Sequence, residues 1–346
     1  MTKIVTLYNH KGGVSKTTTT YHLAHALVEH LGKKVLVVDA DPQCNITELF
    51  LFKIIEDLDI QESNGMETFL PGTSVKDALW PRLEGERPNV DVDSIELVQP
   101  DPSANLYVFR GDIALNEAED RLSYAHSQRT TSDMHQKRNH VAIHDMLRRL
   151  GNRDGFDYIL IDVGPSAGAL TRSFFLACDQ FLTPVAPDRY NYQAINSLSE
   201  ILNKWLNEHQ QILIDFQKLR LNISQRCPIF KGLIMQRFQR HNGTAKPSYQ
   251  LWIDKIKKRT NEVLIPSLRN SGGKDTIHAR TISNVSAAEI PDFASIAPMM
   301  LQLGKPAWKL EKRETGWKGK VWEDRSKMMN DIKKFFFDLA EHIEND

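Results

Sequence analysis

Short runs rich in Val, Ile and Leu recur at residues 4–8, 34–38, 106–109, 158–163, 181–185, 232–235 and 263–265. Apolar and polar positions do not alternate strictly within them, the pattern of strands covered on both faces. Helical spacing fills many of the gaps. In residues 16–31, Leu23, Leu27 and Leu31 fall at i, i+4 and i+8 with Ala24 and Val28 beside them, and Gly32 follows where a helix would be capped. Strands alternating with helices predict an α/β fold: a doubly wound, mostly parallel sheet with helices on both faces. Two segments break the rhythm. Residues 48–104 are acidic and carry Pro71, Gly72, Pro81, Pro88, Pro100 and Pro102, which reads as an insertion with one or two short helices. Residues 123–140 have almost no apolar content and read as a mobile polar loop. The spacing at 328–343 predicts a terminal amphipathic helix. The expected organisation is therefore one domain over 1–306, with those two interruptions, and a C-terminal extension over 307–346.

Of the 346 residues, 41% are apolar and 25% charged, the balance of a globular protein. No run approaches 18 apolar residues, which excludes a membrane-spanning helix of the usual kind. The apolar start at 4–8 is too short for a signal-peptide core. Cys44, Cys178 and Cys227 are far apart with no CxxC pair, so the chain is expected to be reduced and cytoplasmic. The balanced net charge conceals a split: residues 201–346 hold 25 Lys and Arg against 16 Asp and Glu, and the first 200 hold the matching acidic excess. The basic half fits either an anionic partner or an unevenly charged solvated surface.

Candidate chemistry concentrates where strands end. The run 4–8 leads into Asn9, His10, Lys11, Gly12, Gly13, Val14, Ser15, Lys16, Thr17 and Thr18, and a helix follows at once. Glycines let backbone N–H groups approach phosphate oxygens, and a helix N-terminus adds unpaired donors and positive charge. Lys16 is placed to reach the β- and γ-phosphates, with the Thr17 hydroxyl on Mg²⁺. The second strand ends in Asp39 and Asp41, two carboxylates at i and i+2 that point the same way while the strand continues. The apolar run 158–163 contains Asp162, a Walker B arrangement suited to holding Mg²⁺.

The common GxxxxGK[ST] loop is absent, since His10 and Ser15 stand at its glycine positions. The Lys11-Gly12-Gly13-x-x-Lys16-Thr17 pattern resembles instead the deviant Walker A box of the ParA/MinD family of ATPases. That resemblance implies a P-loop NTPase fold, ATP and Mg²⁺ as cofactors, and a homodimer with ATP sandwiched between subunits. It assigns Lys11 to the partner subunit's nucleotide and makes residues 11–18 phosphate-binding. It makes Asp41 the group that orients the attacking water, with Lys11, Lys16 and Asp41 as the catalytic set. Thr17, Asp39 and Asp162 attend the metal. Residues 232–238, with Gln236 where the family often has Asn, and 290–293, with Pro291 and Asp292, resemble the segments that cradle adenine. The implied output is partitioning or positioning of plasmid or chromosomal DNA on the nucleoid, through nonspecific DNA binding by basic residues such as Lys255–Arg259 and a second protein that stimulates hydrolysis. The alternatives are a ParA-like regulator of a partner effector, in cargo positioning or phage defence, and, more remotely, a metabolic P-loop enzyme.

Other signals are read conservatively. His22 and His25 are expected on a solvated helix face rather than at a metal. His135, His140 and His144 have no companion cluster in sequence. Trp308, Trp317 and Trp322, interleaved with lysines, are expected to pack the extension on the core rather than to stack on nucleic acid. The acidic flanks of the last helix argue against a lipid anchor.

Overall fold

A computed structural model describes residues 2–241 and 244–345. Its centre is a seven-stranded sheet, every pairing parallel: β1 (Lys3–Leu7), β2 (Val35–Ala40), β3 (Leu106–Phe109), β4 (Tyr158–Val163), β5 (Gln180–Val185), β6 (Ile229–Gln236) and, after a two-stranded hairpin of β7 (Arg240–His241) and β8 (Thr244–Ala245), β9 (Ser286–Ile290). The order across the sheet is β3-β2-β4-β1-β5-β6-β9. Both faces are covered, so β2, β4 and β5 are buried along their whole length and show no alternation in sequence.

One face carries α3 (Val75–Leu83), α4 (Ala118–Ser127), α5 (Met134–Asp154), α6 (Ala169–Leu176), α7 (Arg189–Lys218), α8 (Pro247–Arg259) and α9 (Ile265–Gly272), packed over Ile4, Leu36, Val38, Ile159 and Ile161. The other carries α1 (Lys16–Leu31), α2 (Asn45–Ser63), α11 (Ile296–Leu303) and α13 (Gly319–Glu344), packed over Val5, Leu7, Val35, Val37 and Leu160. The short helices α10 (Ala279–Ser283) and α12 (Lys312–Thr315) lie in the connections. Among the described residues no helix is long and apolar enough to cross a membrane.

Several expectations are corrected. Residues 263–265 are not a strand but part of the helical turns that end in α9, with Leu264 and Ile265 buried. The acidic segment holds most of the 19-residue α2 and all of α3, and it buries Leu49, Phe50, Leu51, Leu79 and Leu83. Residues 123–140 are the end of α4, a short turn at 128–133 and the start of α5, so the loop is much shorter than expected. Asp133 caps α5 through the N–H groups of His135 and Gln136. The polar residues there are buried in specific pairs, which a count of apolar residues misses: Arg82 Nε donates to Asn139 Oδ1 at 2.9 Å, and Lys137 pairs with Asp215.

The C-terminal helix changes the reading of α1 most. α13 lies along α1 and supplies Ile332, Phe336 and Leu339 to the core. His22 is consequently fully buried rather than solvated. Its Nδ1 is 2.7 Å from the Thr18 carbonyl, its Nε2 accepts from the Ala307 N–H at 3.1 Å, and its ring stacks on Phe336. Trp308 packs beside it and donates to Glu29 at 3.0 Å. Among the described residues no group of His, Cys, Asp or Glu is arranged to hold a metal, but His140 and His144 do gather with other histidines. With His126 and His209 they line a small cavity between α4, α5, α6 and α7.

Candidate functional site

At the C-terminal edge of the sheet, β1 gives way to a loop tied down from both sides. The Tyr8 hydroxyl donates to the Ser166 carbonyl at 3.2 Å, and Asn9 Nδ2 donates to the Pro184 carbonyl at 2.9 Å. Asn9 Oδ1 also accepts the Lys11 N–H at 3.0 Å. Asn9 is thus a site-shaping residue that motif reasoning passed over, and its burial (1% exposed) is the sign of it. Two residues take left-handed backbone, Gly13 at φ +69° and Ser15 at φ +61°. Ser15 therefore adopts the conformation for which glycine is favoured, at a cost of order 1 kcal/mol. No side chain caps α1, which leaves its first-turn N–H groups to a ligand. Lys16 is buried, with Nζ donating to the Asn9 and Lys11 carbonyls at 3.2 and 3.3 Å. Burial lowers its pKa against the pull of Asp162 and Asp41.

Three carboxylates meet the loop. The β2–β4 register sets Asp39 directly opposite Asp162. Asp39 is fully buried; Oδ2 accepts from the N–H and hydroxyl of Thr47 at 3.1 and 2.5 Å, and Oδ1 from the Asp41 N–H at 3.2 Å. Burial raises its pKa to about 6. Thr47 is a second residue missed from sequence, and Gly111, whose N–H bonds the Thr47 hydroxyl at 2.8 Å, packs against the same carboxylate. Asp162 differs: it is buried, and apart from the pull of the Thr17 hydroxyl neither carboxylate oxygen has a close hydrogen-bond partner. Burial, reinforced by Asp39, raises its pKa to about 8, while Thr17 and Lys16 pull the other way. A buried carboxylate so poorly compensated is costly alone and suits a cation. The residues present therefore fit Mg²⁺, with Asp162 and Thr17 to hold it and Asp39, already engaged by Thr47, behind them. Asp41 sits at the cleft, Oδ1 accepting the Gln43 N–H at 3.0 Å; Gly164 packs so close that a Cβ there would lie 3.2 Å from that oxygen.

The cleft itself has a volume of about 470 Å³ and is lined by Gly12, Gly13, Val14, Ser15, Lys16, Thr17, Thr18 and Asp41, with Gln43, Asn45, Glu48, Leu49, Phe52, Pro165 and Leu301. Lys11 lies outside that lining, with its ammonium 5.7 Å from the ring centre of Tyr190 on α7. Gln236, Pro291 and Asp292 do not line the cleft either. Gln236 Nε2 donates to the Thr19 hydroxyl at 2.5 Å, and that hydroxyl donates to the Ser15 carbonyl at 2.7 Å, so Gln236 braces the loop from below. The Asp292 N–H bonds the Phe238 carbonyl at 3.0 Å, and its carboxylate caps Ala294. Next to Gln236, Arg237 takes left-handed backbone and its guanidinium bonds the Gly13 carbonyl.

A family model described as "AAA domain" matches residues 2–214. The chain is 32% identical over 203 residues to the sporulation initiation inhibitor protein Soj of Bacillus subtilis, covering 59% of this chain and 64% of Soj, just under two thirds of that protein. It is 28% identical over 264 residues to the chromosome partitioning protein ParA of Myxococcus xanthus, covering 76% of this chain and 75% of that one. Among solved structures, apo McdA from Cyanothece has the same fold, with a TM-score of 0.60 at 18% identity over 99% of this chain and all of McdA.

Proposed function

This chain belongs to the ParA/MinD family of P-loop ATPases, and from that premise we propose that it binds Mg-ATP in the 12–17 loop, closes two copies face to face and reopens them by hydrolysis. The observation that carries the proposal is the pairing of a glycine-rich loop, open to the cleft, with the buried and poorly compensated carboxylate of Asp162 behind it. Backbone N–H groups of residues 12–17 and the Lys16 ammonium bind the phosphates. Lys16 must leave the Asn9 and Lys11 carbonyls to do so, and its burial makes it a strong counter-charge once it faces a polyanion. A Mg²⁺ held by Asp162 and Thr17 would supply positive charge against the phosphate oxygens. Asp41, held by the Gln43 N–H, orients the attacking water, and Lys11 swings from Tyr190 to the nucleotide of the other copy. The output we infer is partitioning or positioning of a DNA cargo, with nonspecific contacts from the basic C-terminal half and a second protein that stimulates hydrolysis.

ATP binding and turnover test the reading. Lys16→Ala is expected to lose ATP binding, and Asp41→Ala to bind ATP but hydrolyse it at least tenfold more slowly, trapping the closed dimer. Wild-type turnover in Asp41→Ala would refute the assignment of the water-orienting group.

A further inference from the structure

On the face away from α1, the first turns of α7 run beside α8 and leave an open groove of about 420 Å³. Its lining includes Arg189, Lys255, Lys258 and Arg259, with Glu262 the acidic member, 3.8 Å from Lys258. The basic run 255–259 is sorted by the fold. Lys257 turns away to pair with Glu289 at 2.6 Å, while Arg259 is fixed towards the groove by its bond to Asn196 at 2.7 Å. Between these charges lie two aromatic rings, Tyr192 and Trp252, with centroids 6.1 Å apart, and the Lys255 ammonium rides over the indole at 4.8 Å.

Cations alone suit any phosphate backbone, and nonspecific duplex binding needs nothing more. A half-buried indole and phenol at the floor of the same groove are a different kind of recognition. The bases of a duplex are stacked on one another and cannot reach them, whereas an unpaired base can lie on such a ring while its neighbouring phosphates meet the cations. We propose that this groove binds single-stranded DNA, with a base stacked on Trp252, the tilted Tyr192 ring at its edge, and the flanking phosphates held by Arg189, Lys255, Lys258 and Arg259. The proposal rests on the DNA-binding part of the function proposed above and makes it more specific. The Lys255 ammonium already occupies the indole face, and a base would take its place there while the ammonium moves to a phosphate.

Fluorescence anisotropy of the ATP-bound full chain on oligo(dT), and on a duplex of equal length, tests this. Trp252→Ala is expected to weaken oligo(dT) binding about five- to 150-fold, the effect of losing one stacked base, and to leave duplex affinity within twofold. Trp252→Phe, which keeps a stacking face and controls for folding, should retain most of the oligo(dT) affinity. Lys255→Glu with Lys258→Glu should weaken both ligands and flatten the salt dependence. Unchanged oligo(dT) binding in Trp252→Ala, or an equal loss on both ligands, overturns the stacking site while leaving DNA binding in place. A wild-type chain that binds neither ligand overturns the DNA-binding reading as well.

Discussion

Asp162 sets the clearest conflict between stability and the proposed function in the molecule. Its carboxyl is buried with only the weak pull of the Thr17 hydroxyl to offset the loss of water, and its pKa rises from 3.8 to about 8. An acid whose folded pKa lies above its unfolded value binds its proton more tightly in the native state. The metal-free protein therefore loses stability as pH climbs from about 4, and the loss is complete above about 8. Each pH unit inside that window costs up to about 1.4 kcal/mol. Asp162→Asn keeps the shape of the protonated acid and removes the titration. With EDTA and no nucleotide, the variant is expected to be the more stable protein, and its advantage should widen by up to about 3 kcal/mol between pH 6 and pH 8. For a chain of this size that is a widening of a few degrees in Tm. Urea unfolding of both proteins at the two pH values measures it directly. Comparing the two cancels the titration of Asp39, which is raised to about 6 and is common to both. Mg-ATP should reverse the order, because only the wild type gains the linkage stabilisation of a metal bound to the native state. Parallel pH curves for wild type and Asp162→Asn in EDTA would refute the reasoning.

Other outcomes follow from the same geometry. Ser15→Gly should stabilise the apo protein by about 1 kcal/mol in urea unfolding by relieving left-handed backbone; no gain would mean the serine side chain repays its strain. His126, His140, His144 and His209 are all held neutral by burial, His140 and His144 at about 3, so stability is full above about pH 6.5 and drains as pH falls towards 3. His140→Phe, whose ring can keep the edge contact with Phe216, should move the acid-unfolding midpoint to lower pH, and an unmoved midpoint would contradict this. Lys11→Ala should still bind ATP but fail to dimerise with a slowly hydrolysed analogue in sedimentation; a stable dimer would refute its role across the interface.

The sequence alone determined the elements whose signal is local. Strands buried on both faces announce themselves as apolar runs, and a strand, a glycine turn and a Lys-Thr pair are contiguous, so the family was legible and the glycine-rich loop, Asp41 and Asp162 could be singled out as candidates. Tertiary structure decided what depends on a partner distant in the chain. His22 lies on what reads as a solvated face of α1 until α13, some three hundred residues later, covers it and supplies Phe336 to stack against it. The polar stretch 123–140 reads as a loop because helix burial is normally inferred from apolar residues, whereas here Asn139, Lys137 and His126 are buried through bonds to Arg82, Asp215 and Ser173. Asn9 and Thr47 carry no motif of their own; they matter because the strand order brings Pro184 and Asp39 within hydrogen-bond reach. The same holds for Asp162. Its neighbours in sequence mark it as a candidate metal ligand, but only the register of β4 against β2 places a second carboxylate opposite it, and only the covering of both sheet faces removes the water that would otherwise leave its pKa at an ordinary value.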